Sequence, residues 1–188
     1  MPAAADRRYT ANLLGTLAQT IVDRQSIGMD AVAGHGGTAP AALITVRFYP
    51  GRSIGFLAHR LRISHPGAVQ LVDRLAGSDL VQRVPAPDGR SRNLELTEQG
   101  ERIAEAVLRQ RMLVLETATA ALDDRACRRL AEVMEQMLEA LTDDLLTSEF
   151  MCRMCDELAC PDDRCPVERA EPTPPARRGL GFGVRWPS

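Results

Sequence analysis

Apolar residues at Leu13, Leu14, Leu17, Ala18, Ile21 and Val22 recur every three or four positions. That is the spacing of one face of an α-helix and predicts a first helix over about 9–32. A glycine-rich break follows (Gly34, Gly36, Gly37, Pro40), and 41–48 resumes as a short apolar helix stopped by Pro50-Gly51. Two short helices come next. Ser53 can cap the first, 54–62, with Ile54, Leu57, Ala58 and Leu61 on its inner face. Ser64 can cap the second, which runs to about Gly77 with a stripe of Ala68, Leu71, Val72 and Leu75. Pro66 is tolerated there because first-turn N–H groups have no helical partner. The period then changes from helical to alternating. Segments 80–84 and 91–96 read as two strands joined by Pro85-Ala86-Pro87-Asp88-Gly89, a hairpin with its tip at 88–92. Thr97 heads a helix to about 121, with Ile103, Val107 and Leu115 inward. Asp123 or Asp124 caps another to about 146, with Leu130, Val133, Met137, Leu138 and Leu141 inward.

Composition refines this picture. The chain has 188 residues, 45% hydrophobic but only 4% aromatic, which suits helices packed by aliphatic side chains. No stretch approaches the ~18 apolar residues of a membrane span, and the first residues lack a signal peptide's apolar core. A cytoplasmic protein without a membrane partner is expected.

The net charge of −2 conceals an uneven layout in which every cation is arginine. Residues 47–92 carry eight arginines against three acids, a local +5, while 93–150 carry six against thirteen, a local −7. A basic block within a near-neutral chain marks a face for an anionic ligand. It falls on the two short helices and the hairpin: Arg47, Arg52, Arg60, Arg62, Arg74, Arg83, Arg90 and Arg92. Two short helices followed by a hairpin make a winged helix-turn-helix. In such a unit the second helix enters the major groove of DNA and the wing reaches the adjacent backbone or minor groove. Arginine serves both tasks, as a forked phosphate donor and as a guest in narrow minor grooves.

The residues Leu57-Ala58, Leu61, Ser64, Val72-Asp73-Arg74-Leu75, Leu80-Val81, Arg83, Pro87-Asp88-Gly89-Arg90, Leu96-Thr97 and Gly100 resemble the MarR family of transcriptional regulators. The resemblance spans roughly residues 10–148. It implies a homodimer whose N-terminal helix and last two long helices interleave, and which represses transcription from a palindromic operator in double-stranded DNA. It also implies release by a small molecule, oxidant or metal. Asp88 and Arg90 match the family's wing-tip pair, in which the carboxylate holds the guanidinium for minor-groove insertion. The second helix departs from the family's pattern, offering His65, Pro66, Gly67, Val69 and Gln70. Gln70 can pair bidentately with adenine, and His65 can donate to phosphate or base. The candidate DNA-binding set is therefore Ser64, His65, Gln70, Arg74, Asp88, Arg90 and Arg92.

Cysteines add a second chemistry. Cys152, Cys155, Cys160 and Cys165 are spaced C-x2-C-x4-C-x4-C, short enough for four thiolates to close on one metal ion. Zinc comes first, with Arg153 and Arg164 inside the loop to offset the thiolate charge. An iron–sulfur cluster is the alternative, since Cys160 and Cys165 each precede a proline. Free or disulfide-switching thiols come third. Cys127 is expected to be a small buried hydrophobe. His35 belongs to a connector, and His59 is expected to face solvent or phosphate. No nucleophile–base set, carboxylate pair or phosphate loop stands out, which argues against an enzyme.

The expected fold is mainly α with a small β-hairpin wing (α+β), a winged helix-turn-helix flanked by long dimerisation helices. Its parts are N-terminal helices (9–48), DNA-binding unit (49–97), C-terminal dimerisation helices (98–150), four-cysteine loop (151–170) and tail (171–188). The expected function is a DNA-binding transcriptional regulator, a repressor answering to redox state, metal or a small molecule. The competing reading is a metal- or redox-binding interaction protein that uses the winged helix as a protein contact.

Overall fold

The computed structural model describes residues 4–86, 92–142, 148–160 and 165–170. The hairpin tip with Asp88 and Arg90, the link at 143–147, residues 161–164 and the tail from 171 lie outside the described residues.

Helix α1 (Ala4–Ala33) leads into α2 (Ala39–Phe48), the strand β1 (Arg52–Ser53), α3 (Ile54–Leu61) and α4 (His65–Gly77). Strands β2 (Val81–Pro85) and β3 (Arg92–Leu96) follow, then α5 (Glu98–Thr119), α6 (Asp124–Leu141), α7 (Ser148–Met151) and α8 (Pro166–Ala170). The fold is mostly helical with a three-stranded antiparallel sheet of order β1-β3-β2. In the wing, Arg83 lies opposite Leu94, and Val81 opposite Leu96.

Helix α2 is the central pillar, with every residue from Ala39 to Val46 buried. Around it Met29 and Ala33 of α1, Leu57 and Leu61 of α3, and Leu71, Val72 and Leu75 of α4 close one core. Leu94 of β3 and Ala104, Val107 and Leu108 of α5 complete it. The inner stripe expected for α4 is the observed one, with Ala68, Leu71, Val72 and Leu75 all buried.

Local chemistry sets most of the boundaries. Ser53, Ser64, Thr97 and Asp123 each accept a hydrogen bond from the backbone N–H three residues on, and so cap α3, α4, α5 and α6. Several expectations need correction. Helix α2 starts before Pro40, because a proline in the first turn gives up an N–H that had no partner. Strand β1 is absent from the expected elements: two residues form a strand only because β3 lies alongside, with Arg52 opposite Leu94. Neither α7 nor α8 is long enough to show a period. Helix α6 ends at Leu141, and Leu146 lies outside the described residues.

The largest departure concerns the long helices. Helix α6 buries no residue, and Val133, Met134, Leu138 and Leu141 are exposed. Leu13, Leu14, Leu17 and Val22 of α1 are exposed as well. Cys127, expected inside, is exposed because α6 is not covered by this chain's own core. Among the described residues no helix is long and apolar enough to cross a membrane.

Candidate nucleic-acid interface and cysteine centre

The turn between α3 and α4 is three residues long. Arg62 ends α3 in the left-handed region (φ 51°), and the Ile63 N–H reaches back to the Ala58 carbonyl at 3.1 Å. Such a chain reversal usually falls to glycine. Ser64 then caps α4, accepting the Gly67 N–H at 3.2 Å. Its side-chain oxygen is thus committed to starting the helix, whatever its hydroxyl proton does.

Burial of the apolar stripe leaves His65, Pro66, Gln70, Asp73 and Arg74 exposed on α4. Gln70 and Arg74 are four apart, so they lie one turn above each other on a single face. Asp73 on that helix receives Arg83 of β2 at 2.7 Å, which ties the wing to α4. Arg92, at the start of β3 and opposite Pro85 on the tip side of the wing, is exposed.

The basic block divides into two kinds of arginine. Arg47 pairs with Glu101, Arg83 with Asp73, and Arg60 with Glu157. Arg52 and Arg62 lie over the rings of Phe56 and Phe150 without a carboxylate partner among the described residues. Arg74 and Arg92 likewise have no such partner there. The reading face therefore rests on fewer cations than the local +5 implies.

Arg60 does not belong to that face at all. It is 5% exposed, with Nη2 3.0 Å from Glu157 and its guanidinium 4.3 Å from the centre of the Tyr49 ring. Its Nε is buried without a hydrogen-bond partner. Burial, together with a hydrogen bond to Glu157, pushes the Tyr49 hydroxyl up to about 12. The sequence carried a signal for this placement, since position 60 is three beyond Leu57 and four beyond Phe56, on the inner face. His59 is exposed, as expected, and its Nε2 lies 3.0 Å from Glu149. His35 is joined to Ser78 Oγ at 2.9 Å, so the glycine-rich connector is fastened to the end of α4.

None of the four clustered cysteines is in a disulfide, and they lie in the turns after α7 and directly before α8. Cys152 directly follows α7, and the Cys155 N–H closes a turn onto the Cys152 carbonyl at 2.9 Å. Cys160 ends the next turn, where its N–H donates to the Asp156 carbonyl at 3.2 Å. Cys165, the most buried, sits directly before α8.

The thiols of Cys152, Cys155 and Cys165 act on one another. A hydrogen bond with Cys155, then burial, then the charge of Cys155 and contact with Cys165 raise the Cys152 thiol well above the ordinary range. Its donated hydrogen bond, opposed by burial, lowers Cys155 to about 6, and the nearby Arg111 and Arg60 cations help. Cys155 is thus the thiol of the pair that gives up its proton more readily. Among the described residues no group of three or more His, Cys, Asp or Glu side chains is arranged to hold a metal ion.

No protein-family model matches the chain, and no curated protein matches it significantly. Solved structures do. The YusO protein of Bacillus subtilis superimposes with a TM-score of 0.66 at 20% identity, over 74% of this chain and 99% of that one. A MarR family protein from Bacillus stearothermophilus gives 0.66 at 20%, over 76% and 100%. A point mutant of MepR from S. aureus, solved bound to an oligodeoxyribonucleotide, gives 0.55 at 16%, over 71% and 98%. At such identities the likeness is one of fold, and the chain has the winged helix-turn-helix fold of MarR-type proteins.

Proposed function

We propose that this chain is a homodimeric DNA-binding transcriptional regulator, acting as a repressor on a palindromic operator and not as an enzyme. The observation that carries the reading is the exposed face of α4. There Gln70 and Arg74 stand one turn apart, with Arg92 exposed at the start of β3, on a fold shared with a protein solved on an oligodeoxyribonucleotide. Gln70 reads base edges, Arg74 and Arg92 meet phosphate or base, and the wing tip with Asp88 and Arg90 reaches the minor groove. Two such heads on one dimer demand two half-sites related by the same two-fold axis.

Gel shifts against promoter fragments near its own gene test the reading. Binding is expected to be sub-micromolar, selective, and weaker in higher salt as phosphate contacts give up their counterion release. Arg74→Ala is expected to cost about 1–3 kcal/mol of binding, roughly a five- to 150-fold loss. Arg90→Ala is expected to weaken binding across sequences. Sequence-indifferent binding at low salt only, unchanged by Arg74→Ala, overturns the assignment.

The cysteine centre belongs to the same proposal. We take Cys152, Cys155, Cys160 and Cys165 as the ligands of one metal, with zinc ahead of an iron–sulfur cluster, and the centre as a point where metal or redox state reaches the regulator. Three thiols already act on one another, and Arg60 and Arg111 supply the positive charge that favours thiolate. Elemental analysis of freshly purified protein is expected to return about one zinc per chain, and Cys165→Ser to lose it. A brown protein rich in iron and sulfide would replace zinc by a cluster, and a metal-free one would remove the centre.

A further inference from the structure

The C-terminal module (148–160 and 165–170) touches both halves of the molecule. Its first arm, α7 and the turns after it, grips the reading head through neighbouring side chains of α3 and the residue that ends it. Glu149 takes His59 at 3.0 Å, Glu157 takes Arg60 at 3.0 Å, and the Phe150 ring lies 4.5 Å beneath the Arg62 guanidinium. The second arm, α8, packs on α6, with Arg169 2.8 Å from Glu139 and 3.6 Å from Glu135. The two arms also pack against each other.

Within the first arm the Arg60–Glu157 contact is the firmest. A cation that is 5% exposed and lacks a partner at Nε is tolerated only while Glu157 and the Tyr49 ring stay in place. Withdrawing Glu157 leaves α3 with a buried, uncompensated charge. Arg62, stacked on Phe150, is the residue whose left-handed backbone turns the chain from α3 into α4. The grip therefore reaches the helix that orients the recognition helix.

The thiols lie at the junction of the two arms. Cys152 and Cys155 belong to the arm on α3, between Glu149 and Glu157, whereas Cys165 immediately precedes the arm on α6. Bonds from one metal to all three would cross-link a contact on the reading head to a contact on a long helix.

We propose that the C-terminal module is a brace that fixes the reading head against α6, and that metal–thiolate bonds across its two arms stiffen it, so that removing the metal releases α3 and weakens DNA binding. The contacts of the brace stand by themselves; the dependence on metal rests on the reading of the cysteines as ligands given above.

Hydrogen exchange of the full-length protein separates these steps, read together with elemental analysis and binding to a duplex selected from a random pool by the wild-type protein. Glu157→Gln is expected to speed exchange of the α3 amides about tenfold and to weaken DNA binding about tenfold, with metal content unchanged. Phe150→Ala, which removes a surface stack and leaves Arg60 paired, shifts both in the same direction by less. Treating wild type with a zinc chelator is expected to reproduce the change in α3, and to add little in Glu157→Gln, where the brace is already parted. Wild-type exchange and affinity in both variants overturn the brace, whatever the metal content. Metal that is present but whose removal leaves α3 unchanged overturns the coupling. Wild type purified without metal overturns the cysteine reading, and the two variants still decide the brace.

Discussion

Alanine in place of Gly100 is expected to destabilise the protein by about 3 kcal/mol or more, a large share of a domain's stability. A Cβ at this position would lie 1.9 Å from the Leu80 carbonyl oxygen and 2.9 Å from its carbon. Both are backbone atoms, so no rotamer change relieves the overlap. Nor can the backbone yield cheaply, because this is the joint where α4, the wing and α5 meet. The Leu80 N–H donates to the Leu75 carbonyl at 3.0 Å, and the Leu80 oxygen accepts the Thr97 N–H at 3.2 Å. The Thr97 hydroxyl donates to the Asp79 carbonyl and accepts the Gly100 N–H at 2.9 Å. Moving Leu80 away breaks the start of β2 and the cap of α5 together. Alanine's better helix propensity returns only about 1 kcal/mol. Urea denaturation of Gly100→Ala checks the value, with Gly77→Ala as control. A Cβ at Gly77 meets nothing within 4 Å, so that variant is expected to be neutral or slightly stabilising. Equal midpoints for the two variants would remove the close approach as the reason for glycine here.

Features decided by local chemistry were legible from the chain. Ser53, Ser64, Thr97 and Asp123 cap because short hydroxyl or carboxylate side chains reach an N–H three residues on. The stripes of α3 and α4 follow from helical period, and the hairpin from alternation around proline and glycine. What escaped the sequence depends on partners distant along it. Strand β1 exists through its pairing to β3. Arg60 falls among the DNA-facing cations by charge, although its position beside Phe56, Leu57 and Leu61 points inward. Its partner, Glu157, lies 97 residues away. The same distance hid the docking of His59 on Glu149 and Arg62 on Phe150, so the cysteine segment reads as an appendage when it packs on the reading head. Of the proposed DNA contacts, Ser64, His65, Gln70, Arg74 and Arg92 fall on α4, its cap or the start of β3, while Asp88 and Arg90 lie outside the described residues.

Leu138→Glu is expected to convert the protein to monomers and to lower operator affinity by about a hundredfold or more. Helix α6 spans 18 residues and buries none of them, yet Val133, Met134, Leu138 and Leu141 present apolar side chains to water. A helix of this length is marginal when its apolar face has nothing to pack on. Helix α1 leaves Leu13, Leu14 and Leu17 equally bare, each 45–51% exposed. The charges of α6 point to a second copy of this chain as the cover. After Asp124, Arg125, Arg128 and Arg129 fall in its first two turns; Glu132 lies at its middle, and Glu135 and Glu139, which also meet Arg169 of α8, lie in its second half. Two copies related by a two-fold axis and running antiparallel set the arginines near the start of each against the glutamates near the end of the other. An isologous interface requires that kind of self-complementarity. Leu138 belongs to the apolar stripe of that seam with Val133, Met134 and Leu141, so a carboxylate there is enclosed by apolar side chains, and its burial costs more than the lost leucine contact. DNA binding falls with it, because two tethered heads gain affinity from effective concentration that a lone head lacks. Sedimentation equilibrium gives the mass, and anisotropy on the selected duplex gives the affinity. Leu17→Glu on α1 is expected to act in the same direction. Both variants remaining dimeric, with wild-type affinity, would place the two-fold contact elsewhere on the molecule and leave the bare faces of α1 and α6 to another partner.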